Sequence, residues 1–238
     1  MRKVIIFFLL ITLTGCSFFH RIFGKKKSPS DFALYEKGIV AFDQKKYSKA
    51  IKYLKKLKEN YPFSPYTLDG TLKLAKAYYL KGDLEEAEST YKEFESLHPG
   101  DKRIPFVLYE IGLINFQQFK SIDLPKDNLL EAIKYFNKLV ELYPNSKYSK
   151  KAKEYIKKCR RLQAYHEIFI ADFYWRTKRY LGAWKEYSLI IEKFKDFPDI
   201  CNYARRMKSL SYYKYQEQKS KEELDKRTKS WKDLFKWL

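Results

Sequence analysis

Glycine and proline are scarce in this 238-residue chain, at eight of each, and histidine and cysteine are scarcer still, at three of each. So few chain breakers, set against 18% aromatic residues, exclude a disordered protein. His20, His98 and His166 stand apart from any cysteine or paired-carboxylate constellation at useful spacing, and no glycine-rich phosphate loop is present, so nothing calls for an enzyme or a cofactor. His98 abuts Pro99 at a helix end and His166 sits beside Glu167 within a helix, positions where packing is the role to expect. No apolar run is long enough to span a bilayer comfortably. Despite a net charge of +20, no motif that reads RNA or DNA is visible, and the basic residues are spread along every helix instead of gathered in one arm. The charge therefore reads as a solvated surface that attracts membranes or protein partners, not as a nucleic-acid site.

What the chain does have begins at its amino terminus. Arg2 and Lys3 precede an uncharged apolar run over residues 4–13 that closes in Leu13-Thr14-Gly15-Cys16. That is a leader, residues 1–15, ending in the lipobox at which bacterial lipoproteins are cleaved and acylated, which makes Cys16 the lipid-attachment residue. Several acyl chains hold a protein on a membrane without a crossing helix. Ser17 stands where lipoproteins of this class that are retained carry aspartate, so resemblance to the class implies the outer membrane, facing the periplasm. Residues 16–30, with Lys25, Lys26 and Lys27 ahead of Ser28-Pro29-Ser30, form a tether whose basic run can touch anionic headgroups. Removing Arg2 and Lys3 with the leader lowers the charge from +20 to +18. Cys159 and Cys201 remain, with no metal or redox spacing, and whether they pair is open.

The architecture follows from a ruler of small residues. Gly38, Ala50 and Pro62 are 12 apart, as are Ala75, Ala87 and Pro99; Ala132 and Pro144 repeat the step, and Ala171, Ala183 and Lys195 repeat it with lysine in the proline position. This is the spacing of tetratricopeptide (TPR) repeats, in which small residues sit where two helices cross and the proline ends the second helix. Large side chains fill the positions between: Tyr78, Tyr91 and Phe94, then Phe136 and Leu139, then Tyr174, Tyr180 and Tyr187. The expected fold is an all-α TPR superhelix of about five helix-turn-helix repeats. Gly112 and Ala132 are 20 apart instead of 12, which places an inserted loop around Gln117 to Asn128, marked by Pro125. No glycine or proline interrupts Ser146 to Arg176, so one helix of about 45 Å joins the third repeat to the fourth. The organisation expected is repeats 1–3 over residues 31–145, the long helix with repeats 4–5 over 146–216, and a closing helix over 217–238. In that last stretch Trp231, Leu234, Phe235 and Leu238 form a stripe beside Lys229, Lys232 and Lys236, which either caps the array or docks on a membrane or partner.

TPR arrays bind segments of other proteins, so the fold alone yields a scaffold. More comes from order and detail: Phe106-Val107-Leu108-Tyr109-Glu110-Ile111-Gly112-Leu113, the inserted loop, Glu131-Ala132, Leu142-Tyr143-Pro144-Asn145-Ser146-Lys147-Tyr148, then Ala164-Tyr165-His166-Glu167 and Ala171-Asp172-Phe173-Tyr174 with Tyr180. This order, with the lipobox, resembles the BamD family of lipoproteins of the outer-membrane β-barrel assembly machine. The resemblance implies a non-catalytic partner of BamA and other complex subunits that helps fold and insert β-barrel precursors. It also implies amino-terminal repeats that meet precursor segments and carboxy-terminal repeats that meet the periplasmic domains of BamA. Where many relatives carry arginine six residues after the tyrosine matching Tyr180, this chain has Glu186, so a charged contact with BamA is not carried over there. The inserted loop holds only Asp123 and Asp127 as acids, fewer than the resemblance implies. Another TPR lipoprotein, such as a secretin pilotin or an envelope coordinator, is the competing reading. Groove-facing offsets from the small residues nominate Tyr35 and Phe42 in the first repeat and Lys76 and Tyr79 in the second as partner-binding residues, with Ile39 and Leu72 as neighbours that equally suit packing.

Overall fold

The computed structural model describes residues 29–234, all helix, turn and loop; Cys16 and the leader lie outside them. Ser30 opens the first helix, its hydroxyl accepting from the Ala33 N–H at 3.2 Å. Nine α-helices follow among the described residues: α1 (Asp31–Asp43), α2 (Tyr47–Asn60), α3 (Thr67–Lys81), α4 (Leu84–Leu97), α5 (Ile104–Gln118), α6 (Asp127–Leu142), α7 (Lys147–Arg176), α8 (Tyr180–Lys193) and α9 (Pro198–Leu234). Among the described residues the chain divides after Gly70 into two compact units, residues 29–70 and 71–234, described separately.

In the first unit α1 buries Leu34, Gly38 and Ala41, one per turn, against Ala50, Leu54 and Leu57 of α2. A Cβ on Gly38 would stand 2.5 Å from a Leu54 methyl, so hydrogen at this position is what lets the helices approach. The second unit repeats the device with larger partners. Gly112 of α5 faces the buried Phe136 ring of α6, 2.6 Å from where a Cβ would be, and Gly182 of α8 faces Tyr174 of α7 at 2.9 Å. The alanines of the ruler, Ala50, Ala75, Ala87, Ala132, Ala171 and Ala183, are all fully buried. Of the large residues expected between them, Tyr91, Phe94, Phe136, Leu139 and Tyr187 are buried, while Tyr78, Tyr174 and Tyr180 are half-buried.

Turns within repeats share one backbone device. At the ends of α1, α3 and α7, Lys45, Gly82 and Lys178 take φ of 58°, 95° and 59°, and the next residue's N–H reaches back five residues: Lys46 to Ala41, Asp83 to Tyr78 and Arg179 to Tyr174, at 2.9–3.0 Å. This is a Schellman close, which satisfies the last carbonyls of the helix. Between repeats, Pro62, Pro99 and Pro144 each follow the last helical residue by two.

The TPR architecture is as expected, and the long helix runs over Lys147–Arg176. The carboxy-terminal end differs. The expected break at residue 217 is absent: α9 continues unbroken for 37 residues, so the last repeat is represented by one long helix without a second. The stretch from Asp199 onward contains neither glycine nor proline, so nothing in it ends a helix. The side chains of the Trp231 to Leu238 stripe lie outside the described ones.

Gly112→Ala should lower stability by about 1–3 kcal/mol, because Phe136 is enclosed and has no free rotamer to move into. Gly100→Ala, where no atom lies within 4 Å of the new carbon, should leave the thermal midpoint within a degree or so of the parent. Thermal melts of both variants check the register.

Candidate partner-binding surfaces

Tyr35 and Phe42, the nominated residues of the first unit, are half-buried. The Tyr35 ring stacks on Tyr66 at 5.2 Å and its hydroxyl donates to Asp69 Oδ2 at 2.8 Å. Burial, followed by that carboxylate, pushes the Tyr35 phenol up to about 12. Its hydroxyl is therefore already occupied, and what it offers a ligand is ring. Phe42 lies edge-on to Tyr47, centroids 5.8 Å apart. Ile39 is half-buried beside them.

In the second unit Lys76 and Tyr79 come together. The Lys76 ammonium lies 4.4 Å from the Tyr79 ring centroid, and the Tyr79 hydroxyl accepts from Gln117 Nε2 at 2.6 Å. Lys76 is also chelated by both carboxylate oxygens of Glu110, at 2.9 and 3.1 Å, with Glu110 only 7% exposed. An acidic ligand at Lys76 would have to compete with a carboxylate already in place, so a role in orienting Tyr79 fits its surroundings better. Leu72, the alternative packing residue, is buried. Asp69 and Glu110, which hold Tyr35 and Lys76, were not singled out from the sequence; each lies 34 residues beyond its partner, on the first helix of the next repeat.

Next to this pair, α5 and α6 meet α7 through aromatic rings. Tyr109 lies 5.6 Å from Tyr148 and 6.1 Å from Tyr155, and Tyr155 stacks on Phe136 at 5.4 Å. Burial pushes the Tyr109 phenol up to about 12.

The inserted loop, residues 119–126, is fastened to the long helix. His166 Nδ1 lies 2.6 Å from the Ile122 carbonyl, the geometry of a ring N–H donating to it, and Lys126 pairs with Glu167. The sequence placed His166 and Glu167 in a packing role, and the structure supplies the thing packed. Farther along α7, Arg160 grips Asp196 through two bonds of 3.0 and 2.7 Å and Arg161 grips Asp199 at 2.9 and 3.2 Å, across the α8–α9 turn. Asp172 accepts from both Tyr187 and Tyr203, joining α7 to α8 and α9. Where α8 begins, Tyr180, Leu181 and Gly182 face Tyr215 and Lys219 of α9 across an open cleft of about 490 Å³.

Cys159 and Cys201 are both free and buried. Desolvation lifts the Cys159 thiol to about 12, and Cys201 donates to the Phe194 carbonyl at 3.2 Å. Among the described residues no three His, Cys, Asp or Glu gather as metal ligands, and no helix is long and apolar enough to cross a membrane.

Comparison with known proteins accords with this geometry. The YfiO family, described as outer membrane lipoprotein, matches residues 27–230. The outer membrane protein assembly factor BamD of Vibrio cholerae is 28% identical over 222 residues, 87% of this chain and 90% of that protein. The BamD of Xylella fastidiosa is 27% identical over 79% of this chain and 67% of its own length. Among solved structures, the P58(IPK) TPR domain overlaps 77% of this chain and 46% of its own at 16% identity and a TM-score of 0.48, so the fold rests on the helix order above and not on that overlap.

Cutting the fastening of the loop should show locally. His166→Ala with Glu167→Gln is expected to speed amide exchange several-fold over residues 119–126 while α8 and α9 exchange as in the parent. Unchanged loop exchange would mean the loop is held by something other than α7.

Proposed function

The chain belongs to the YfiO family of outer membrane lipoproteins, and from that premise we propose that it is a non-catalytic scaffold of the β-barrel assembly machine, held on the periplasmic face of the outer membrane by acyl chains on Cys16. The observation that carries the reading is the likeness to BamD over 87% of the chain, on a helix order whose inserted loop is fastened to a long helix between the third and fourth repeats.

A scaffold must hold its contact surfaces rigidly while it hands one protein to another. Helices α7, α8 and α9, clamped by Arg160, Arg161 and Asp172, supply such a surface for BamA, and the cleft at Tyr180 and Leu181 gives it relief. Because Glu186 stands where many relatives carry a cation, we assign that contact to shape and apolar area instead of a charge pair. The rings of Tyr35 and Phe42 in the first unit and of Tyr79, braced by Lys76, in the second receive apolar side chains of barrel precursors. Other complex subunits share the remaining surface.

The full-length protein, drawn from detergent-solubilised envelopes, should bring BamA with it, and mass spectrometry of the eluate reads this directly. The variant Tyr35→Ala with Tyr79→Ala should retain BamA and lose about tenfold in affinity for a precursor carboxy-terminal peptide, the size of effect that two ring contacts at an interface commonly give. A secretin in place of BamA would overturn the assignment, and unchanged peptide affinity would move the precursor site elsewhere.

A further inference from the structure

One feature of the first unit has no part in these contacts. The turn between α2 and α3 reads Tyr61-Pro62-Phe63-Ser64-Pro65-Tyr66, and Phe63 at its tip is 98% exposed. This is not a slack loop. The Tyr61 hydroxyl donates to the Pro29 carbonyl at 3.0 Å, the Ser64 hydroxyl donates to Asp31 at 2.8 Å, the Thr67 hydroxyl donates back to the Tyr61 carbonyl, and a proline flanks the phenylalanine on each side. Phe32, 51% exposed, lies against Tyr66 with centroids 5.5 Å apart. The turn is thus tied at Pro29 and Asp31 to the segment through which the chain arrives from Cys16, 13 residues before Pro29.

Leading into the turn, α2 carries five lysines and a single acid, Glu59. Its buried face is Ala50, Leu54 and Leu57; at 3.6 residues per turn Lys49, Lys52, Lys55 and Lys56 fall on the opposite side, and all four are exposed. A basic helix face beside a braced, water-exposed aromatic is the pairing that interfacial binding uses: cations reach lipid phosphates while the ring enters the headgroup region. A protein partner would meet the same charge with acids of its own, but the tie between this turn and the anchor-bearing segment favours a surface that the anchor itself brings near.

We propose that the α2–α3 turn and the outer face of α2 dock on anionic phospholipid, with Phe63 inserted at headgroup depth, so that the first unit lies on the bilayer. The proposal rests on the lipoprotein reading only for bringing the turn close to a membrane.

The test uses the full chain carrying Phe63→Cys, purified from envelopes, labelled at that residue with the polarity-sensitive dye NBD and reconstituted into vesicles. The buried Cys159 and Cys201 leave the new thiol as the reactive one among the described residues, and parent protein labelled in parallel corrects for dye taken elsewhere. Whether acyl chains or an uncleaved leader hold the chain, it sits on the vesicle, so the dye reports the turn alone; the mass of the same sample reports acylation separately. In vesicles of phosphatidylethanolamine with phosphatidylglycerol, blue-shifted emission and several-fold slower quenching by aqueous dithionite are expected. Both signals should be lost in phosphatidylcholine alone and in the background Lys49→Gln, Lys52→Gln, Lys56→Gln. A dye that stays water-like in both lipids overturns the proposal, as does one that shifts only when a barrel-precursor peptide is added, which would assign the turn to a protein ligand.

Discussion

Two helices can cross closely only where one of them presents almost no side chain, and the rest of this structure depends on that constraint. Gly38 against Leu54, Gly112 against Phe136 and Gly182 against Tyr174 are three instances, each with a distance under 3 Å to the carbon that glycine lacks. The consequences extend past the crossing itself. Phe136 lies against Gly112 and also stacks on Tyr155 of α7. One ring thus joins the α5–α6 crossing to the long helix. Burial of these rings adds to that of the aliphatic core, and the glycines decide where the rings facing them go.

The long helix in turn organises the carboxy-terminal unit through polar side chains at intervals along it. Arg160 and Arg161 hold the α8–α9 turn, His166 and Glu167 hold the inserted loop, and Asp172 holds a tyrosine from each of α8 and α9. Each such contact at a protein surface is worth little alone. Together they restrict the inserted loop and the hairpin of α8 and α9 to one placement on the long helix.

What small residues and helix breakers mark was legible in the sequence, and what residues far apart along the chain do to one another was not. A ruler of glycine and alanine at 12-residue steps, closed by proline in three of its four instances, marks the crossings and helix ends because sterics demand a small residue at each crossing. The long helix was visible through the lack of breakers after Ser146; the same rule applied after Asp199 gives the unbroken α9. Lys45 and Lys178 hid the Schellman turns, since glycine, as at Gly82, is the residue that advertises a left-handed backbone. The partners of the nominated residues were invisible for a different reason. Nothing local in Lys76 reveals that Glu110 chelates it, or in Tyr35 that Asp69 takes its hydroxyl, because a contact between residues 34 apart leaves no signal in the residues around either partner. The family likeness supplied the order of the parts, and the structure shows what holds them.

If the small-against-large crossing governs the fold, its two sides must be coupled, and a double-mutant cycle measures that coupling. Phe136→Leu trades the ring for a shorter side chain and so opens the space that a methyl at position 112 would need. The account predicts that the penalty of Gly112→Ala, read from urea unfolding midpoints, falls to less than about half in the Phe136→Leu background, a coupling on the order of 1 kcal/mol. Strictly additive losses would contradict it, for the glycine would then be needed for its backbone and not for the ring that lies against it.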